Sequence, residues 1–127
     1  MDSQDRADLF HAYQNYLAAF NANDIDAIND CVSFPLAYIG AGVVTMLDNF
    51  PITPGELKAK TGWAKSEAFE IDIVSVGTNK AHLLMRNTRR LRADDSLIEQ
   101  ASGFYAYKKT AAGWKMFALS DIVFPAG

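Results

Sequence analysis

The sequence predicts an α+β domain in which N-terminal helices pack on one face of an antiparallel sheet. Apolar residues recur at helical spacing near the N-terminus, and from about residue 68 they alternate with polar ones as in strands. Turn signals then separate successive strands. The chain has 127 residues, of which 50% are hydrophobic, and this suffices for one core. We therefore expect residues 1–127 to form a single domain.

The first helix is predicted over residues 4–21. Leu9, Tyr13, Tyr16 and Phe20 recur every three or four residues and so share one face of a helix. This stripe should be the buried face.

A second, shorter helix is predicted to begin after the capping residue Asp24. Ile25, Ile28 and Val32 would form its buried line. We expect the helix to end before Pro35, because the residue preceding a proline is disfavoured in the α region.

A hairpin and a third helix follow. Residues 36–39 and 43–47 are predicted strands, and glycines at the turn separate them. Residues 53–56, Thr-Pro-Gly-Glu, form a capping-box pattern with proline at the first helical position. The helix should end at about Gly62.

The rest of the chain is predicted to be strand. Phe69, Ile71 and Ile73 alternate with acidic residues, which is typical of a half-buried strand. Further strands are predicted over residues 80–92, 97–109 and 114–123. Hairpin-linked strands after helices indicate an antiparallel sheet with helices on one face.

Two segments resemble the nuclear-transport-factor-2-like (NTF2-like) superfamily, which includes ketosteroid isomerases and SnoaL-like cyclases. Residues 16–28, YLAAFNANDIDAI, are similar to a run near the start of many members, and residues 113–116, GWKM, resemble the opening of their final strand. The order of elements matches over nearly the whole chain. The resemblance implies a cystatin-like cone with helices packed in a curved antiparallel sheet, a pocket at the wide end and a homodimer formed through the outer sheet face.

The resemblance carries over only one isomerase residue. The tyrosine that donates a hydrogen bond to the substrate oxygen falls on Tyr16. The catalytic base falls near Gly40 and the second acid near Gly103, and glycine can supply neither function. Isomerase chemistry of that kind is therefore predicted to be absent.

Two residues are candidates for acid–base catalysis. Asp121 interrupts an apolar strand, and alternation places it on the face of Phe117 and Leu119. It is the best general-base candidate if that face lines the cone, and it points outward otherwise. His82 could act as a base at neutral pH, although a lone strand histidine is more often structural.

One cluster contains the arginines Arg86, Arg89, Arg90 and Arg92. Alternation predicts Arg86, Arg90 and Arg92 on one face and Arg89 on the other. If the turn pairs Arg92 with Leu97, Arg90 lies opposite Glu99 in a cross-strand ion pair. Arg86, expected opposite Gly103, is the candidate anchor for a ligand carboxylate or phosphate.

Several classes of site are not supported. The single cysteine excludes an internal disulfide framework, and two separated histidines give no zinc pattern, so we predict neither metal nor cofactor. The net charge of −3 argues against nucleic-acid binding. No apolar run is long enough to span a membrane and the first residues are polar, so a cytoplasmic protein is expected.

The leading hypothesis is a homodimeric cone that binds a small apolar molecule beside Tyr16, Tyr38 and either Asp121 or His82. The residue types suit cofactor-free acid–base chemistry of the isomerase, cyclase, dehydratase or hydrolase type. The alternative is a non-catalytic dimerisation or interaction module whose pocket is filled by its own aromatic side chains. Nucleic-acid binding through the arginine strand, with its strong salt dependence, is the least supported.

Overall fold

The computed structural model describes residues 3–67 and 70–125. The helices are α1 (Ser3–Asn21), α2 (Ile25–Asp30) and α3 (Pro54–Thr61). The strands are β1 (Val32–Ile39), β2 (Val44–Leu47), β3 (Lys65–Glu67), β4 (Glu70–Val76), β5 (Lys80–Leu91), β6 (Leu97–Thr110) and β7 (Gly113–Pro125). Within these residues no helix combines the length and apolar character needed to cross a bilayer.

The strands form one seven-stranded sheet in the order β2-β1-β7-β6-β5-β3, and β4 also pairs with β5. All neighbours are antiparallel except β1 and β7, which are parallel. The predicted α+β class is confirmed, but the expectation of a wholly antiparallel sheet was wrong at this pair. Parallel neighbours cannot be joined by a tight turn, and here β1 meets the last strand of the chain.

The predicted stripe of α1 is confirmed as its buried face. Leu9, Tyr13, Tyr16 and Phe20 are all buried, whereas His11 on another side of the helix is exposed. The stripe packs into the inner face of the sheet and joins its side chains in one core.

The second helix is shorter than predicted. It ends at Asp30, and Val32 already belongs to β1, whose pairing with β7 follows directly. Ile25 is 38% exposed and does not contribute to a buried line. Pro35 lies inside β1, after a cis peptide bond, where the register with β7 is irregular. A proline has no N–H for a regular ladder, so it is tolerated there.

The third helix matches its prediction. Thr53 and Glu56 form the capping box, with the Glu56 N–H donating to Thr53 Oγ1 at 3.2 Å and the Thr53 N–H donating to Glu56 Oε1 at 3.1 Å. Gly62 ends the helix at φ 80°, a left-handed conformation that glycine adopts without strain.

The alternating segment after α3 is more divided than predicted. The strand β3 was not predicted. Its middle residue, Ser66, accepts a hydrogen bond from the Trp63 indole at 3.0 Å, and its backbone is hydrogen-bonded to the Asn21 side chain. Ile71 and Ile73 are half-buried in β4, as expected, while Phe69 lies outside the described residues.

A β-bulge in β5 determines which side chains reach the interior. Asn87 has φ 57°, and the register with β6 shifts between Met85 and Thr88. A bulge inserts a residue and so reverses the alternation beyond it. The prediction that Arg86 and Arg90 share a face was therefore wrong: Arg86 lies on the outer face and Arg90 on the inner face.

Candidate functional site

A cavity of about 290 Å³ lies between the second half of α1, the segment before α3, and the inner face of the sheet. It is lined by Tyr16, Phe20, Tyr38, Phe50, Pro51, Ile52, Leu57, Met85, Arg90, Tyr105, Leu119 and Asp121. Most of these side chains are apolar or aromatic, and we refer to this cavity as the pocket.

Aromatic rings form one wall of the pocket. The Tyr16 ring centroid lies 5.6 Å from that of Phe50, 6.1 Å from that of Phe20 and 6.3 Å from that of Tyr105. The rings are tilted against one another, as aromatic side chains prefer. Tyr16 and Phe20 come from the buried stripe of α1, and Phe50 comes from the segment before α3. The wall therefore brings together separate parts of the chain.

Asp121 and Tyr38 meet on the polar side of the pocket. Asp121 pairs with Gly103 of β6, and its neighbour Leu119 pairs with Tyr38 of β1, so these side chains share the inner face. The Tyr38 hydroxyl donates a hydrogen bond to Asp121 Oδ1 at 3.3 Å. Burial, together with the charge of Asp121 and this hydrogen bond, raises the pKa of Tyr38. Tyr38 is consequently a neutral donor beside a carboxylate.

Tyr16 is also held in its neutral form. Burial and the nearby Tyr105 raise the pKa of Tyr16 well above its ordinary value, the charge of Asp121 adds to this, and that of Arg90 opposes it. The Tyr16 side chain can thus donate a hydrogen bond but cannot serve as a base near neutral pH.

Gly103 provides the space for the neighbouring Tyr105 ring. A Cβ atom at this position would lie 2.9 Å from the Tyr105 hydroxyl oxygen and 3.0 Å from a ring carbon. Burial raises the pKa of Tyr105 well above its ordinary value, and its hydroxyl is hydrogen-bonded with that of Tyr13. The glycine therefore fixes where this tyrosine borders the pocket.

Arg90 and Glu99 form the cross-strand ion pair predicted from the sequence, with Arg90 Nη1 2.5 Å from Glu99 Oε2. Their side chains are only 22% and 16% exposed, so the pair is largely withdrawn from solvent. Because the bulge at Asn87 turns Arg90 inward, its side chain also lines the pocket.

Comparison with known proteins gives structural relatives only. No family model and no curated protein matches the sequence. An NTF2-like protein of unknown function from Shewanella baltica is 13% identical and has a TM-score of 0.68, over 99% of this chain and 98% of that chain. A ketosteroid isomerase-like protein from Erwinia carotovora atroseptica is 18% identical, with a TM-score of 0.66, over 98% of this chain and 100% of that chain.

A domain of unknown function with a cystatin-like fold from Nostoc punctiforme is 15% identical, with a TM-score of 0.67, over 95% of this chain and 78% of that chain. The chain has the NTF2-like fold. The resemblance stated from the sequence is confirmed at the level of the fold, and so is the cystatin-like architecture. Identities this low carry no residue roles.

The NTF2-like fold brings three of the predicted site residues together and separates two from them. Tyr16, Tyr38 and Asp121 line the pocket. His82 pairs with Ala106 on the outer face, and its ring lies 5.1 Å from that of Phe104.

Arg86 also lies outside the pocket, in an exposed ion pair with Asp72 at 3.4 Å. Met85, not Arg86, is the residue opposite Gly103. No pocket role was predicted for Arg90 from the sequence. Asn87 was the available signal, because asparagine tolerates a left-handed conformation and can mark a bulge.

A larger cleft of about 480 Å³ lies between the first half of α1, α2 and the start of β7. Its two lysines are already engaged, Lys109 with the Asp5 carboxylate and Lys115 with the Asp30 carbonyl. Among residues 3–67 and 70–125, no group of three or more His, Cys, Asp or Glu side chains could hold a metal ion. The pocket is therefore the better candidate site.

Proposed function

We propose that this NTF2-like domain binds a small, mainly apolar molecule in the pocket, where Asp121 acts as a general base. The observation that carries the proposal is the Tyr38–Asp121 hydrogen bond inside an aromatic-walled cavity. At 3.3 Å this bond is long for an O–H···O interaction. Asp121 is therefore weakly held and can exchange Tyr38 for a ligand, as catalytic groups often do when substrate binds.

The size and walls of the pocket limit the ligand. A cavity of about 150 Å³ holds benzene, so 290 Å³ suits a molecule of one or two rings. Phe20, Phe50 and Leu57 favour an apolar body, and the hydroxyl of Tyr16 offers a hydrogen bond to an oxygen atom on it.

The chemistry that fits is proton transfer without a cofactor. The Asp121 carboxylate would take a proton from a carbon next to a carbonyl group. The electron pair of the broken C–H bond then forms the C=C bond of an enolate, whose negative oxygen accepts a hydrogen bond from Tyr16. Return of the proton to the same or another carbon completes the step. Isomerisation, cyclisation and dehydration of carbonyl compounds can begin with this step.

Proton exchange tests the proposal directly. The protein is incubated with 2-tetralone in D₂O, and replacement of the α-protons by deuterium is followed by NMR. We expect exchange above the buffer rate, reduced about 100-fold or more by Asp121→Asn, since general-base catalysis contributes at least that factor. Asp72→Asn, on the outer face, is the matched control and should leave exchange unchanged.

Two results would overturn the proposal. One is exchange that persists in Asp121→Asn; the other is a failure of 2-tetralone to bind at all, measured by calorimetry. Tyr16→Phe adds an independent check: it should weaken binding of 2-tetralone while leaving stability nearly unchanged. A filled pocket, as in an interaction module, would instead give no binding in any variant.

We also propose that two copies associate through the outer face of the sheet. Residues paired across β2, β1, β7 and β6 form an uncharged patch on that face: Ala37, Ile39, Val44, Met46, Gln100, Ser102, Phe104, Ala106, Ala118, Ser120, Ile122 and Phe124. Val44, Met46 and Ile122 are each at least 60% exposed. In a two-fold dimer the patch meets its own copy. Because it carries no charges, no like charges repel one another, and a second copy can cover it.

The oligomeric state tests this second proposal. Light scattering after gel filtration should give a dimer for the native chain and a monomer for Ile122→Glu, which places a charge at an exposed position within the patch. Val74→Glu, at an exposed position on β4, should remain dimeric. A monomeric native chain would refute the association.

A further inference from the structure

We infer that Arg90 binds the oxygen of the ligand, and that the pocket selects small ring compounds with a carbonyl or carboxylate group. This inference rests on the proposed function and names the substrate class of the same site. It assigns the anchoring role expected of Arg86 to a different arginine.

Arg90 faces the pocket because of a local irregularity in β5. The bulge at Asn87 brings Thr88 and Arg90 to the inner face, where Arg90 lines the pocket beside Tyr16 and Tyr105. Without the inserted residue, Arg90 would point outward from the sheet. The backbone thus departs from regular pairing in the stretch that leads to this side chain.

The guanidinium group of Arg90 has more hydrogen-bond donors than Glu99 occupies. It has five N–H donors in a plane. Glu99 is the acceptor to which Arg90 donates among the described residues, through Nη1 alone. Glu99 therefore holds the side chain in place and offsets its charge, while other donors can reach an acceptor in the pocket. A planar fork suits the two lone pairs of a carbonyl oxygen or the two oxygens of a carboxylate.

Two opposite charges lie near the tyrosine hydroxyls of the pocket. Burial is the largest cause that raises the pKa of Tyr16 and of Tyr105. The negative charge of Asp121 raises both pKa values further, and the positive charge of Arg90 lowers them. Both charges are thus felt inside the pocket. A ligand oxygen fits the donors of Arg90 and Tyr16, while a proton-donating position fits Asp121.

Arg90 and Asp121 lie well apart on the inner face. Arg90 pairs with Glu99, and Asp121 pairs with Gly103, four residues further along β6. At roughly 3.3 Å per residue, this is about 13 Å along the strand direction. Their backbones are further apart still, because they belong to β5 and β7 on opposite sides of β6. Two side chains that reach inward from such positions leave room for a ring between them. The ligand is then held by its oxygen at one side and presented to the base at the other.

A ring-matched series tests the inference: toluene, acetophenone, benzoate and benzylammonium, each titrated into the full chain. Binding is followed by NMR of the methyl groups of Met85 and Leu119, which line the pocket, with Leu9 as the remote reference. We expect acetophenone and benzoate to bind about tenfold or more tightly than toluene, the factor expected for a hydrogen bond to a charged donor.

Three variants assign that preference to Arg90. The double variant Arg90→Met, Glu99→Gln removes both partners, so no buried charge is left unpaired, and it should bind acetophenone and benzoate no more tightly than toluene. Arg90→Lys keeps the charge but loses the planar fork, and should lose most of the preference for benzoate. Arg86→Met, in the same strand on the outer face, should behave as the native chain.

The possible failures are distinguishable. Tightest binding of benzylammonium would overturn the inference and identify a pocket governed by Asp121 and its aromatic walls. An oxygen preference that survives in the double variant would also overturn it. If toluene and the other probes all fail to shift Met85 and Leu119, the pocket does not bind ligands, and the proposed function fails together with the inference.

Discussion

The two halves of α1 cover regions of the sheet that differ in how they are filled. The inward side of the first half, with Leu9, belongs to a core in which Ile28 and Met116 are fully buried. We call this core region the packed end; the 480 Å³ cleft lies on the other side of the helix, beside His11. The second half of α1, with Tyr16, covers the pocket. The inward side of one helix therefore borders both a solid core and a cavity.

The inner face of β6 and β7 carries different side chains at the two ends. At the packed end, Tyr107 pairs with Met116, and both are large and buried. Toward the pocket, Gly103 pairs with Asp121, and the space beside the glycine is taken by the Tyr105 ring, which borders the pocket. The polar groups at this end have partners, since Asp121 accepts a hydrogen bond from Tyr38.

The largest expected effect is at the packed end. Leu9→Ala should lower the free energy of unfolding by about 2–5 kcal/mol, because the side chain is fully buried and the space cannot be refilled. Urea denaturation measures the change. Binding of 2-tetralone should be nearly unaffected when measured well below the unfolding transition. If affinity fell in proportion to stability, the two ends would not be separable regions.

An intermediate effect is expected at Gly103. Gly103→Ala would place a methyl group against the buried Tyr105 ring, which has little freedom to move. Overpacking of this kind costs about 1–3 kcal/mol, and the displaced ring should also reduce ligand affinity. Gly55→Ala is the control, since a Cβ atom there meets nothing within 4 Å. Equal stability of the two variants would show that the Tyr105 ring can move aside at little cost in free energy.

The sequence predicted the fold well where local patterns dominate. The α1 stripe, the capping box at Thr53 and the long hairpins depend on spacing and turn chemistry within a few residues. The pairing of β1 with β7 is a contact between distant parts of the chain, and no local pattern encodes it. Pro35 was interpreted as the end of the second helix. Its place in β1 depends on the irregular pairing with β7, which the neighbouring residues do not indicate.

The candidate site was predictable only in part, for a related reason. Asp121 was identified as an acid inside an apolar strand, and alternation from Leu119 to Asp121 places both on the inner face. The prediction that Phe117 shares this face was wrong, because the register of β7 shifts between Met116 and Ala118.

Arg86 was chosen because an unbroken register placed it opposite Gly103. The residue inserted at Asn87 shifts that register and reverses the alternation beyond it. The loop residue Phe50 gave no periodic signal. Side-chain direction beyond a bulge follows from the backbone, which the residue pattern alone does not determine.

The smallest effect separates the tyrosines of the two ends. The Tyr107 hydroxyl is buried and has no hydrogen-bond partner among the residues that the structure describes. Tyr107→Phe removes a desolvated polar atom, so stability should be unchanged or higher by about 1 kcal/mol. Tyr38→Phe removes a hydroxyl that donates to Asp121, so stability should fall by about 0.5–1 kcal/mol.

Thermal and urea unfolding of the two variants measure this difference, and its sign is the informative quantity. A stability loss in Tyr107→Phe equal to that in Tyr38→Phe would mean that the packed end also satisfies its hydroxyl. The contrast between the two ends would then be one of volume alone. Opposite signs would mean that polar groups are supported selectively at the pocket, where Tyr38 and Asp121 remain paired at the cost of apolar packing. That selectivity is expected of a region that binds a ligand rather than one that only completes a core.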